Sequence, residues 1–179
     1  MALRLQTRII VNERPGTDWN TCGQAAIATM LAHFRLGPFV LDASPADGEA
    51  IDQLRPRFGP DMPLGLGTTA FRIAAALRAH GLGVERIDSG WRGQRAASCY
   101  DQLRAHVSSG TPTPVCVDAR RLGGSTGAHW AIVLEAGDAG VRLGNGLGRE
   151  RMTLGDFLDA WACRALPPTH HHAALLTWA

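Results

Sequence analysis

Three residues of this chain have the side-chain types used in thiol-based nucleophilic catalysis: Cys22, His129 and Asn145. Cys22 lies in TDWNTCGQAAIATML, where polar loop residues give way to an apolar helical pattern. Thr21-Cys22-Gly23-Gln24 fits a capping box, with Thr21 capping the helix and the Gln24 side chain reaching back to the cap amide. That register puts Cys22 in the first helical position, where the helix dipole and the first-turn amides favour thiolate over thiol. A thiolate nucleophile also needs a base. His129, in GAHWAIVLE, follows the Gly-rich GGSTG and opens a strongly apolar strand pattern, so its imidazole would stand on a rigid element with open space in front. A third group must orient that imidazole through its second nitrogen. Asn145, in RLGNGLG, lies 16 residues beyond His129, the span of one strand, a turn and the return strand to the same sheet end. An Asn-Gly turn would place the same residue there for local reasons alone.

The other thiols and imidazoles fit chemistry less well. Cys99 is the rival nucleophile, with Ser98 as a possible cap, but its nearest histidine in sequence is His106. Two helical turns, roughly 10 Å, separate them, too far for a hydrogen bond. Cys116 in PVCVD and Cys163 after FLDAWA read as core residues. The run His170-His171-His172 reads as a solvated segment rather than a metal site, because alternate residues of a strand face opposite ways. Trp130 and Trp161 read as core aromatics that could shield the His129–Asn145 bond from water.

The elements that must hold these residues follow from periodicity. An opening strand is expected over 4–11, then a polar loop, then the Cys22 helix, which Gly37-Pro38 ends. A second helix is expected over 45–56 and a third over 70–81, the latter capped by Thr68 or Thr69. GVERID reads as a strand, CYDQLRAHVSSG as a helix and PTPVCVDA as an apolar strand. Beyond it AHWAIVLEAG, AGVRLGN and RERMT are strand-like, LGDFLDAWACR is a short amphipathic helix, and HAALLTWA closes the sequence as a strand. Helices mostly first and strands mostly second is the order of an α+β fold, with an N-terminal helical part carrying Cys22 packed on a C-terminal antiparallel sheet.

Composition narrows the function. The chain has 179 residues, which suits one domain over 1–179. All 18 basic residues are Arg, spread evenly against 16 acids for a net charge of +2, so no basic stripe suggests nucleic acid. The absence of Lys excludes lysine Schiff-base chemistry and a Walker-type phosphate loop. No apolar run could span a membrane and the first residues lack a secretory core, so a cytoplasmic setting is expected. The four Cys show neither CxxC nor finger spacing, so neither metal nor cofactor is expected.

Taken together, TCGQAAIATML, GAHWAIVLE, the polar residue in GNG and the following MTLGDFLDAW resemble the papain-like cysteine peptidases, and within them the bacteriocin-processing, double-glycine leader peptidases and their stand-alone relatives. YDQLRAHVSSGTPTPVCVD adds weaker support, and the resemblance covers roughly residues 8–162. It implies a papain-like peptidase fold and hydrolysis of a peptide or amide through an acyl-enzyme on Cys22. His129 is then base and acid, and Asn145 orients it. Relatives commonly have Asp-Pro where this chain has Asn145-Gly146, and a Gln several residues before the Cys to stabilise the oxyanion. Here no Gln lies between Gln6 and Gln24, so Asn12 is the candidate amide, with Asn20 second. The alternatives are an acyltransferase or transglutaminase-like enzyme using the same acyl-Cys, and an inactive domain that binds a peptide.

Overall fold

The structure is a computed structural model, and it describes residues 8–11, 21–37, 47–61, 67–90, 95–124, 127–163 and 170–179. The chain divides into two compact units, one within 1–84 with 178–179 and the other within 85–177.

The first unit is helical: α1 (Cys22–His33), α2 (Asp47–Phe58) and α3 (Ala70–Ala79). α1 packs on both α2 and α3. Every residue of α1 from Cys22 to Ala32 is buried, so this is a helix buried all round rather than a one-sided amphipathic one. Its small residues Ala25, Ala26, Ala28 and Ala32 bring neighbouring backbones close, while Ile27, Met30 and Leu31 fill the space between. α2 runs two residues past the expected stop, through Pro56 to Phe58. A proline there removes one hydrogen bond and leaves earlier ones intact. Thr69, not Thr68, caps α3, accepting from the Arg72 amide at 3.2 Å. The Asp61 carboxylate accepts from Thr69 N and Thr69 Oγ1, both at 2.7 Å, and so fixes the approach to that cap. The expected opening strand is not formed over 8–11, and residues 4–7 lie outside the described residues. Ile10 is instead buried, with its amide donating to Thr29 Oγ1 of α1 at 3.0 Å. A side-chain acceptor on a buried helix satisfies that N–H where no neighbouring strand does.

The second unit carries α4 (Ala96–Ser108), β2 (Thr113–Asp118), a 3-10 turn (Ala119–Leu122), β3 (Ala128–Gly137), β4 (Gly140–Gly144), β5 (Arg151–Thr153) and α5 (Leu154–Trp161). With β1 (Gly83–Ile87) and β6 (Ala174–Trp178) these strands form one six-stranded sheet in the order β1-β6-β2-β3-β4-β5. The division between units falls within β1 and before the last residue of β6. β2 pairs antiparallel with β3 and with β6, and the β3-β4-β5 meander is antiparallel throughout. The fold class is therefore α+β, as the element order predicts.

β2 is buried at all six positions, which explains its unbroken apolar run. α4 packs on β2 and β3, and α5 on β2, β4 and β5. Leu103, Val107, Val115, Val117, Ala131 and Val133 join Phe157 and Trp161 in the core. The last two rings stack at 5.3 Å and 23°, an arrangement that contributes about 0.5–1.5 kcal/mol beyond the area it buries. Thr153 caps α5 by accepting from the Asp156 amide.

The histidine run is not solvated. His170 and His172 are buried, and the segment is turn rather than strand. Ser89 Oγ lies 2.7 Å from His172 Nδ1, the His172 amide donates to the Trp161 carbonyl, and its ring meets Trp161 edge-on. Those partners replace water. No group of side chains suited to a metal occurs among the described residues.

Candidate active site

Cys22 is the first residue of α1, as the sequence predicts, and is 6% exposed. The capping box is not formed. Thr21 is the cap residue, but its side chain makes no capping bond, and Gln24 turns away from it. Gln24 Nε2 donates to the Phe58 carbonyl at 2.6 Å and to Thr68 Oγ1 at 2.9 Å. Gln24 is fully buried, with its Nε2 held by these two tertiary acceptors and its Oε1 not used to accept from the cap amide. Gln24 is consequently engaged, as expected, but by partners 34 and 44 residues away. Gly23 is required by the same neighbour: a Cβ there would lie 2.5 Å from Thr68 Cβ.

His129 is the second residue of β3, opposite Val117 of β2, and is 4% exposed. Its Nε2 lies 2.6 Å from the backbone carbonyl of Asn145. A carbonyl only accepts, so Nε2 carries the proton and the neutral ring presents Nδ1 as its basic nitrogen. Burial pushes the imidazole below its ordinary pKa, and the bond to the Asn145 carbonyl offsets this only in part.

Asn145 follows β4 and is itself buried. Its φ of 55° is left-handed, a conformation Asn tolerates better than most residues. The left-handed step breaks the strand geometry at the end of β4, and the Asn145 carbonyl meets the His129 ring. The Asn145 side chain points elsewhere, with Nδ2 at 3.5 Å from the Trp130 carbonyl, the outer limit of a hydrogen bond. Sequence reasoning expects an Asn amide as the orienting group; the contact to His129 is made by the main chain of that same residue.

Asp118 is the acidic residue placed closest in register to His129, opposite Ala128 at the end of β2. Its carboxylate is occupied, accepting from Arg120 N, Nε and Nη2. The Arg120 guanidinium holds its pKa below the usual carboxylate range. It is thus a structural anion, capping the 3-10 turn. Cys99 is 2% exposed, and burial together with the Asp88 charge pushes its thiol pKa up, which disfavours its thiolate. Cys116 and Cys163 are fully buried core residues with sulfurs 3.7 Å apart. Asn12 and Asn20 lie outside the described residues. Thr68 and Phe58 were not legible as partners of the first turn, since nothing local to TTAF or RPRF marks them.

The helices and antiparallel six-stranded sheet form a papain-like fold, which comparison with solved structures assigns to the double-glycine peptidase type. The peptidase of a double-glycine motif AMS/PCAT transporter, in complex with its leader peptide, matches with a TM-score of 0.58 at 13% identity, covering 97% of this chain and 92% of that one. The peptidase domain of Streptococcus ComA, a bifunctional ABC transporter involved in quorum sensing, matches with a TM-score of 0.53 at 18% identity, over 91% and 94% of the two chains. A putative C39-like peptidase from Bacillus anthracis matches with a TM-score of 0.61 at 11% identity, over 98% and 96%. No family model matches the sequence, and no curated protein does. No helix among the described residues is long and apolar enough to cross a membrane.

Proposed function

We propose that residues 1–179 work as a single peptidase domain that hydrolyses a peptide or amide bond through an acyl-enzyme on Cys22. The observation that carries the reading is the buried His129, whose Nε2–H is committed to the Asn145 carbonyl and whose Nδ1 is thereby the basic nitrogen. It is supported by the position of Cys22 at a helix start and by a fold shared with peptidase domains. One of those domains holds a leader peptide, and a peptide is the substrate class proposed here.

The roles follow. Nδ1 of His129 takes the Cys22 thiol proton, and the sulfur attacks the carbonyl carbon. The tetrahedral intermediate's oxyanion is met by the Cys22 amide and the Asn12 side chain, with Asn20 as the second candidate. One such donor is worth on the order of 2.7–4 kcal/mol of transition-state stabilisation. Collapse breaks the C–N bond, the amine leaves with the proton from His129, and a thioester remains on Cys22. Water then gives its proton to His129 as it attacks, the C–S bond breaks, and the proton returns to the thiol.

The test is mass spectrometry after brief treatment with iodoacetamide, from acid to alkaline pH, on the native protein and on His129→Ala. Selective labelling of Cys22 at low pH, lost in the variant, is expected. Labelling of Cys22 no faster than Cys99 overturns the reading in favour of an inert peptide-binding domain. An amine added during turnover of a peptide ester separates hydrolysis from acyl transfer, since only transfer carries it into product.

A further inference from the structure

The first turn of a helix is where helices fray, and Cys22 opens that turn in α1. The turn must be held if its sulfur is to keep one direction. The two residues that follow Cys22 tie it to the rest of the helical unit. Gly23 lies against Thr68 so closely that any Cβ would overlap the Thr68 side chain. Gln24 is fully buried, and its Nε2 ties the turn to Phe58 at the end of α2 and to Thr68 just before α3. Thr68 is located in turn by its neighbour Thr69, which the Asp61 carboxylate grips through both its amide and its hydroxyl.

We infer that Gln24 and Thr68 are positioning residues for Cys22, a tertiary clamp that does for the first turn of α1 what a capping box would otherwise do. The inference rests on the reading of Cys22 as nucleophile. Two roles can be set aside. Gln24 is not an oxyanion donor, because both of its N–H groups are already donated and none of its surface is exposed. Nor is it a stabilising space-filler, because its Oε1 is buried with no hydrogen-bond partner among the described residues. An orphaned buried acceptor is a net cost that a Met or Leu of similar volume would avoid. A polar group kept at such a cost serves direction rather than stability, since two convergent donations fix the orientation of the first turn where apolar packing leaves it free to turn.

The experiment compares Thr68→Val, which keeps the shape and removes the acceptor, and Gln24→Met, which removes the donor, with Thr68→Ser, which restores the hydroxyl. Each is followed by the rate of Cys22 alkylation by iodoacetamide across pH, by kcat and KM on a peptide ester, and by thermal melting. Thr68→Val and Gln24→Met should melt cooperatively, lose low-pH labelling of Cys22 and lose on the order of tenfold to a hundredfold in kcat, with KM little changed. Thr68→Ser should return labelling and kcat to near the parent values. If the parent's Cys22 is fast and dependent on His129 while both disrupting variants keep its labelling profile and kcat, the clamp is overturned and the peptidase reading stands. If the parent's Cys22 reacts no faster than Cys99, both fall together. Should one disrupting variant fail to melt cooperatively, the other and the Thr68→Ser comparison decide.

Discussion

At the residue scale, the sharpest departure from expectation is Asn145. Its place beside His129, 16 residues on, was legible, but which of its atoms meets the imidazole was not, because main-chain direction depends on a left-handed φ that the sequence signals only as an Asn-Gly pair. The distinction is measurable. His129→Ala should lose about 10²–10⁴-fold in kcat/KM, the usual worth of a positioned acid and base. Asn145→Gly keeps the carbonyl and suits the left-handed conformation, so it should retain kcat/KM within about tenfold. If the amide side chain were the orienting group, Asn145→Gly would fall with His129→Ala. Gln24 teaches a related lesson. Thr-x-x-Gln satisfied the local capping rule, yet the side chain found Phe58 and Thr68, because a buried amide must take the strongest acceptors within reach whatever their distance along the chain.

At the scale of elements, the sequence marked helices and strands well where their patterns were local. β3 runs over Ala128–Gly137 as its apolar run predicts, and α3 begins behind a threonine cap. It failed where tertiary partners decide: the segment 8–11 docks on α1 instead of pairing as a strand, and the His170–His172 run is buried against Ser89 and Trp161. Two predictions belong here. Thr69→Ala removes the α3 cap and the hydroxyl that Asp61 grips, and should cost about 1–2 kcal/mol, read as a lower urea midpoint with an unchanged slope. Gly23→Ala forces a Cβ to within 2.5 Å of Thr68 Cβ, so that the Thr68 side chain must shift. Overpacking of that kind costs typically about 1–3 kcal/mol, and each kcal/mol should lower Tm by about 2–4 °C in a chain of this size.

For the whole molecule, the order of helices before sheet was readable from periodicity, whereas the division into two compact units was not, since it falls inside β1 with no linker composition to announce it. The distribution of buried and half-buried imidazoles, equally invisible in sequence, sets the response to pH. His33, His106 and His129 all have pKa values lowered from 6.5, in each case chiefly by burial. A depressed folded-state pKa means that the unfolded chain takes up protons first as pH falls. The stability these residues contribute is therefore complete above about pH 6.5 and is lost progressively as pH drops toward the folded-state values. Asp118, also depressed, from 3.8, acts in the same direction but only in a more acid window. His106 and His129 differ in what protonation breaks. His129 already donates through Nε2 to Asn145, and a second proton on Nδ1 leaves that bond in place. His106 Nε2 accepts from the Thr177 amide of β6 at 3.1 Å, so a second proton there destroys the bond and strands the amide. The urea midpoint should accordingly fall between pH 7.5 and pH 5.5, and His106→Gln, whose amide oxygen can still accept from Thr177, should flatten part of that fall. A midpoint unchanged across this range in the parent would show that these imidazoles are solvated in the folded protein.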